Sequence, residues 1–364
     1  MTTERLVADR TYTFRRGLRR WAVKARDSVR KLMLQVASRN APFAMVYYGF
    51  INREFLREEM AVAAGQLHYA KLIATGAANF YQLRRNIHRI EKGLIMRPRR
   101  NLFAAEYITE TIELYTTAVA ACDDTNKGEV IWAHDVLTEY FNAVDRNHPV
   151  LEAAYRRFSC LANFSDGGRN VRSVPYARDL SSPSPVRYAD FLALSQRRRS
   201  VRWFRDEPVP RQLIEMALEA AAQAPTACNR QPVVFRIFDD RELTQKVGSI
   251  PMGTKGFSDQ IPVLAVLVGQ LRAYPYERDR HAIYVDGALS AMSFIYALET
   301  LGLSSCVINW PDQEPHETRM RQTLGLADDE RVILLIALGW PDESGMVPFS
   351  AKRNVNQLRT FNDC

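Results

Sequence analysis

The run Arg197-Arg198-Arg199-Ser200-Val201-Arg202-Trp203-Phe204 sets four guanidinium groups around a hydroxyl. Such a cluster can hold a phosphate through charge-assisted, partly bidentate hydrogen bonds. An arginine run taken alone is more often a solvated face. A second segment, Ala221 to Pro232, stops a helix, continues with small residues and then offers Asn229 and Gln231. Small residues let a flat ligand approach the backbone, and the two amides supply paired donors and acceptors for its polar edge. The same segment also reads as an ordinary helix-to-strand turn. A third stretch runs from Tyr284-Val-Asp286-Gly287-Ala288 through Gly302 to Asn309-Trp310, and a fourth is Pro348-Phe349-Ser350-Ala351-Lys352-Arg353. Pure core and a solvated tail are the plain readings of these two.

The elements that must carry these segments follow from periodicity. Helical patterns at 188–197, 211–224, 284–301 and 316–324 alternate with the β-branched runs Val233–Phe238, Val263–Gly269, Ser305–Asn309 and Val332–Leu338. That alternation predicts a sheet with helices packed on it. Upstream, residues 42–160 read as mostly helical, with segments at 53–80, 104–121 and 129–145. Breaks fall at Gly93, Pro98 and the turn 123–128. Residues 163–186 are rich in Gly, Ser and Pro and read as a linker. Residues 14–36 form a basic amphipathic pattern: Leu18, Trp21, Ala25, Val29, Leu32 and Val36 recur at helical spacing, with Arg and Lys on the other faces. The expected organisation is a basic segment 1–40, a helical domain 41–162, a linker 163–186 and an α+β domain 187–364. The stretch Asn86–Met96, NIHRIEKGLIM, has the texture of a motif but no chemistry attached to it.

The chain has 364 residues, 47% of them hydrophobic, enough for two cores. No apolar run is long enough to span a bilayer, and no signal-peptide apolar core is evident near Met1. Five scattered cysteines without a CxxC pair suggest reduced thiols and a cytoplasmic protein. The net charge of +8 is local: residues 1–40 hold 11 basic and three acidic residues, leaving 38 of each in 41–364. A nucleic-acid enzyme would more often spread positive charge over its working domain. The appended charge instead suits docking on the protein itself, on an acidic partner or on an anionic membrane surface. His88 and Glu91 share an i, i+3 spacing, but without a second such pair no metal is expected.

Order and spacing link the four segments. Arg198–Phe204 resembles the nitroreductase opening motif R-x-S-x-R/K-x-F, and Ala224–Pro232 resembles A-P-S/T-x-x-N-x-Q-P. Leu301–Ile308 resembles the family's L-G-L-G-S-C-x-I strand entry, and Lys352-Arg353 its closing basic pair. Residues 187–362 are thus identified as resembling the FMN-dependent nitroreductase family, whose fold is a sheet with helices on both faces.

The resemblance implies a site. Arg198, Lys352 and Arg353 match residues that hold the FMN phosphate, and Arg199 and Ser200 line the phosphate and ribityl chain. Arg202 matches a cation at the pyrimidine edge, where it would stabilise the negative charge that follows hydride arrival. Thr226, Ala227, Asn229 and Gln231 match ribityl and pyrimidine contacts, and Lys255 resembles a further pyrimidine-side lysine. Val307, Ile308 and Asn309 match the strand near the flavin N5. Where many relatives carry Glu-Gly or Gly-Gly, this chain has Asn309-Trp310, so Trp310 is expected to narrow the pocket or stack on a substrate. The cofactor does the chemistry in this family, so no catalytic acid or base is named. The resemblance also implies a homodimer that shares the site. The expected activity is NAD(P)H-driven ping-pong hydride transfer to an electron-poor small molecule. A flavin dehydrogenase or oxidase working without nicotinamide, and a scaffold that has lost FMN, are the alternatives.

Overall fold

The computed structural model describes residues 21–161 and 171–362. The chain divides into two compact units after Met60. The first contains a helix over 21–37, here α1, whose expected first residues 14–20 lie outside the described range. It continues through α2 (Ala41–Val46) and the π-helical turn Tyr47–Ile51. Asn40 caps α2 by accepting from the Phe43 N–H. Tyr48 stacks on Phe55 at 4.6 Å.

α3 (Leu56–Ala74) leads into the second unit, which has a helical part and a sheet part. The helical part is α4 (Phe80–Leu94), α5 (Ile108–Ala120), α6 (Lys127–Ala143) and α7 (Pro149–Ser159). On α4, Leu83, Ile87, Ile90 and Leu94 repeat at i, i+4, i+7 and i+11, and all four are buried. They meet Ile108, Ile112, Tyr115, Leu137, Tyr140 and Phe141 in one core. Asn79 caps α4, and Pro149 opens α7 at the position where a missing N–H costs nothing.

The sheet part begins with α8 (Tyr188–Arg197) and α9 (Arg211–Ala222). There follow β1 (Val233–Phe238), α10 (Arg241–Gly248), β2 (Val263–Gln270), α11 (Ala282–Thr300), β3 (Ser304–Asn309), α12 (His316–Leu324) and β4 (Glu330–Gly339). The four-stranded sheet has the order β1-β2-β4-β3, and each neighbouring pair is antiparallel. Alternation along the strands gives each face its own core. Ala265, Leu267, Ile336 and Leu338 face Ile214 and Ala217 of α9 and Phe294 and Leu298 of α11. Leu264, Val266, Leu335 and Ala337 face Val247 of α10 and Met320 of α12. α11 lies close on the sheet because residue 287 is glycine: a Cβ there would stand 2.5 Å from Ile333 Cδ1. Gly302, at φ +81°, then turns the chain into β3. The fold is a mixed helix and antiparallel-sheet architecture with helices on both faces, preceded by a mostly helical region.

The helical and sheet parts share side-chain contacts. Ala61, Leu271, Ala273, Tyr274 and Ile283 form a small joint core with Tyr81 at its edge. The buried Asp329 accepts from Arg272 Nε at 2.8 Å and lies 2.9 Å from His68 Nδ1. Tyr81 donates to Gln270 at 2.5 Å. Residues 171–187 form no helix or strand, and Ser173 donates its N–H to Asp135 of α6 at 2.7 Å.

Candidate functional site

β3 is an edge strand, and the segment after α8 lies along it. Ser200 bridges Ser305 in parallel, and the Val201 N–H donates to the Ser305 carbonyl at 3.0 Å. This brings Arg198, Ser200 and Arg202 around Cys306. Burial pushes the Cys306 thiol up, against lowering by Arg202, Ser200 and Arg198. A thiol held neutral is no nucleophile, so the chemistry of this corner belongs to its cations.

The arginines are used differently. Arg197 donates to Glu299 of α11 at 2.9 Å. Arg198 Nε is buried with no hydrogen-bond partner among the described residues. A buried guanidinium N–H without an acceptor is costly unless a ligand supplies one. Arg199 donates to the Arg198 carbonyl at 3.0 Å, and the Arg202 guanidinium lies 5.9 Å from the Phe257 ring centre. These residues fit a phosphate-bearing ligand at Arg198, with Arg202 further along it.

The two-residue period of β3 sorts the next candidates. Val307 and Asn309 are exposed, whereas Ile308 and Trp310 point into the core shared with Met320. Trp310 therefore does not line the pocket. It is 8% exposed, and its indole N–H is hydrogen-bonded to Glu317, which also pairs with Arg331. Its strand parity, the same as that of Ile308, sends it inward. Ile308 can offer a ligand its backbone alone. The turn before Lys255 abuts this strand: a Cβ on Gly253 would be 3.5 Å from Ile308 Cγ2. Lys255 itself is exposed.

The other matched group stands elsewhere in the same chain. Thr226 to Gln231 form a tight turn around the 3-10 residues Ala227–Asn229. Cys228, Asn229 and Gln231 have φ of 54°, 55° and 51°. Left-handed backbone at three non-glycine residues is strained and persists where its surroundings enforce it. The enforcing contacts are visible. The Ala227 N–H donates to both oxygens of Asp286, at 3.1 and 3.0 Å, and Tyr274 donates to the same carboxylate at 3.1 Å. Burial pushes the Asp286 carboxyl up, against the lowering by these bonds and by Arg230. Thr226 Oγ1 accepts from the Gln231 N–H, and Gln231 Nε2 donates to Asn229 Oδ1, both at 3.1 Å. From α4, Arg84 donates to the Arg230 carbonyl at 3.0 Å while forked onto Glu129 at 2.9 Å. A cavity of about 150 Å³ beneath the turn is lined by Thr226, Gln231, Val233, Phe235, Asp286 and Ser290, among others.

This turn opens β1, and the Arg198 corner flanks β3, at opposite edges of the sheet. Three inter-strand steps amount to about 14 Å. Along α11 their anchors, Asp286 and Glu299, are about 20 Å apart. One chain thus holds the two matched groups of residues apart. Lys352 and Arg353 lie in an exposed C-terminal segment, where Arg353 donates to the Gln357 carbonyl at 3.1 Å. Neither is seen against Arg198.

Sequence reasoning gave no site role to Arg84, nor to Asp286 and Arg230, although the last two lie in segments it singled out. Asp286 carried a signal, since an acid in a mostly apolar helix requires a buried partner. Arg84 carried none, because its target lies 146 positions away. Among the described residues no group of three or more His, Cys, Asp and Glu is placed to hold a metal ion, and no helix is long and apolar enough to cross a membrane.

The region that carries both groups is similar to known proteins. Residues 196–255 and 245–340 match the Nitroreductase family. Iodotyrosine deiodinase 1 of Rattus norvegicus is 23% identical over 201 residues, covering 48% of this chain and 70% of that protein. A candidate NADH dehydrogenase/NAD(P)H nitroreductase of Archaeoglobus fulgidus is 29% identical over 157 residues, covering 42% of this chain and 86% of its own. Among solved structures, an FMN-dependent nitroreductase of Clostridium difficile aligns with 48% of this chain and 99% of its own, at 21% identity and a TM-score of 0.40.

Proposed function

We propose that the region matching the Nitroreductase family, residues 196–340, makes this protein an FMN-dependent reductase that uses NADH or NADPH. Bound FMN would supply hydride transfer at N5, taking it from the nicotinamide and, after that product leaves, giving it to an electron-poor small molecule. The observation that carries the reading is Arg198. Its Nε is buried and unpartnered, beside an Arg197 already engaged by Glu299.

The chain's residues take these roles. Arg198 of one copy, with Lys352 and Arg353 of the other, holds the phosphate, and Arg199 and Ser200 line the chain that follows it. Arg202 and Lys255 set positive charge at the pyrimidine edge, which favours the reduced, anionic ring. Val307 and Asn309 line the face beside N5, with the Ile308 backbone between them. Thr226, Ala227, Asn229 and Gln231 serve the flavin of a second copy. Their separation from the Arg198 corner across the sheet supports a homodimer with a shared site. No side chain is assigned as general acid or base.

A second reading has support in the packing of α4 on the Thr226–Gln231 turn, which sets a helical layer beside the site. A flavin dehydrogenase or oxidase acting on a biosynthetic intermediate would use such a layer to select its substrate and would need no nicotinamide. The relatives named for nitroreduction and for iodotyrosine deiodination show that acceptors differ among similar chains.

Absorbance of the freshly purified protein tests the cofactor, and anaerobic stopped-flow mixing with NADH and NADPH tests the donor. Flavin bands that bleach rapidly with either nucleotide are expected. Flavin that resists both and bleaches with a carbon substrate would favour the second reading. A colourless protein that takes up no FMN would remove both. A light-scattering mass of one chain with stoichiometric FMN would remove the shared site.

A further inference from the structure

The first unit presents an apolar surface framed by cations. α1 is solvent-exposed on nearly every side, and Trp21 is 71% exposed. At about 100° per residue, Trp21, Ala25, Val29, Leu32 and Val36 fall within a sector of roughly 80°. Lys24 and Lys31 flank that stripe on one side, Arg26 and Arg30 on the other. Within 21–40, five basic residues face one acid, Asp27. α2 and the π-helical turn after it add more apolar surface: Met45 is 76% and Phe50 81% exposed. The Tyr48–Phe55 stack helps fix this turn, so its exposed side chains stand on an ordered element.

We infer that α1, with Met45 of α2 and Phe50 of the turn after it, is a docking element for an anionic lipid bilayer. A stripe edged by cations on both sides is the geometry of a helix lying in the interface. The apolar residues enter the acyl boundary, long basic side chains reach back to the headgroups, and Trp21 sits at the level between. Charge complementarity selects an anionic surface. A nucleic acid would use the cations but leaves Trp21, Val29 and Leu32 without an apolar counterpart. A second copy of α1 would bring like charges together along both flanks. With no membrane-crossing helix among the described residues, the element adsorbs and does not span.

The test is co-sedimentation of the full chain with vesicles of phosphatidylcholine mixed with phosphatidylglycerol, and with pure phosphatidylcholine, at low and high salt. Binding is expected to the anionic vesicles at low salt, to weaken as salt screens the attraction, and to be far weaker on neutral vesicles. Reversing Lys24, Arg26, Arg30 and Lys31 to Glu should weaken it by at least about tenfold. Leu32→Asp, which leaves every cation in place, should do the same. All five side chains are exposed, so neither variant disturbs a core. Absence of binding to anionic vesicles at low salt would overturn the inference. So would undiminished binding by Leu32→Asp, which would mark a surface that reads charge alone, as for a nucleic acid or an acidic protein.

Discussion

Two arginine-containing stretches have the texture of motifs, Asn86–Met96 on α4 and Arg197–Trp203 beside β3, and the structure uses them in opposite ways. In the first, polar groups find partners within the helical layer. Asn86 donates to Glu110 at 3.0 Å, Trp132 donates to Glu91 at 2.9 Å, and the Arg89 guanidinium lies 3.6 Å from the Tyr107 ring centre. Ile87, Ile90 and Leu94 enter the core, and a Cβ on Gly93 would stand 2.3 Å from the Phe103 ring. In the second stretch, one arginine of four is engaged by α11, and the next has a buried N–H left without an acceptor. On the proposed reading, the difference separates a stretch used for packing from a stretch that meets a ligand. The two stretches differ in whether their buried polar groups find partners within the chain.

The comparison breaks most visibly in the core. Ile87→Ala is expected to destabilise the protein by about 2–5 kcal/mol, the usual range for emptying a fully buried aliphatic site. Urea unfolding measures it. Without denaturant, at temperatures where the variant is folded, its FMN affinity should match the parent's. A tenfold loss there would mean that the α4 stretch belongs to the binding machinery after all.

Arg198→Ala comes next. Removing a charge-assisted donor should weaken FMN binding by about 1.5–3 kcal/mol, roughly ten- to 150-fold in Kd. Arg197→Ala takes the partner from Glu299, whose side chain is 7% exposed, so its cost should fall on stability while Kd changes less than about twofold. Fluorescence titration of the apoprotein reads both. Equal effects would mean that the phosphate is not centred on Arg198 but shared with its neighbour.

A smaller effect is expected at the strained turn. Asp286→Asn leaves the Ala227 N–H with one acceptor where it had two, and removes the charge beside Arg230. FMN affinity should fall by about 1–2 kcal/mol, with a change in the visible circular dichroism of the flavin. Loss of thermal stability with unchanged affinity and an unchanged flavin spectrum would reduce Asp286 to an ordinary core residue.

What the sequence made legible was local. Arg198, Ser200 and Arg202 stand within five positions, so their spacing alone could bring them to one corner. β3 and its neighbours are short β-branched runs whose pattern is decided by adjacent residues. The joining of parts was not legible. Arg84 reaches Arg230 across 146 positions, and His68 reaches Asp329 across 261. Nothing in the periodicity of α3 or α4 says which surface their polar faces meet. The sheet order, too, depends on crossovers, and it is that order which sets Asn229 and Asn309 at opposite edges.

Trp310 shows a different failure, and gives the smallest and sharpest test. Taken as a departure from the Glu-Gly or Gly-Gly of relatives, it invites a role in the pocket. Counting along β3 gives the other answer, because residues 307 and 309 share one face and 308 and 310 the other. Trp310→Phe keeps an aromatic in the core shared with Met320 and Leu326 but gives up the hydrogen bond to Glu317. Glu317 retains Arg331 at 3.4 Å, so its carboxylate is not left alone. The expected cost is therefore about 0.5–1.5 kcal/mol of stability. KM for a nitroaromatic acceptor should not change, since no ligand on the Val307 and Asn309 face can reach the indole through the strand. Steady-state kinetics with thermal unfolding on the same preparation separates the outcomes. A several-fold shift in KM at unchanged stability would put the tryptophan back in the pocket and the strand register of β3 in error.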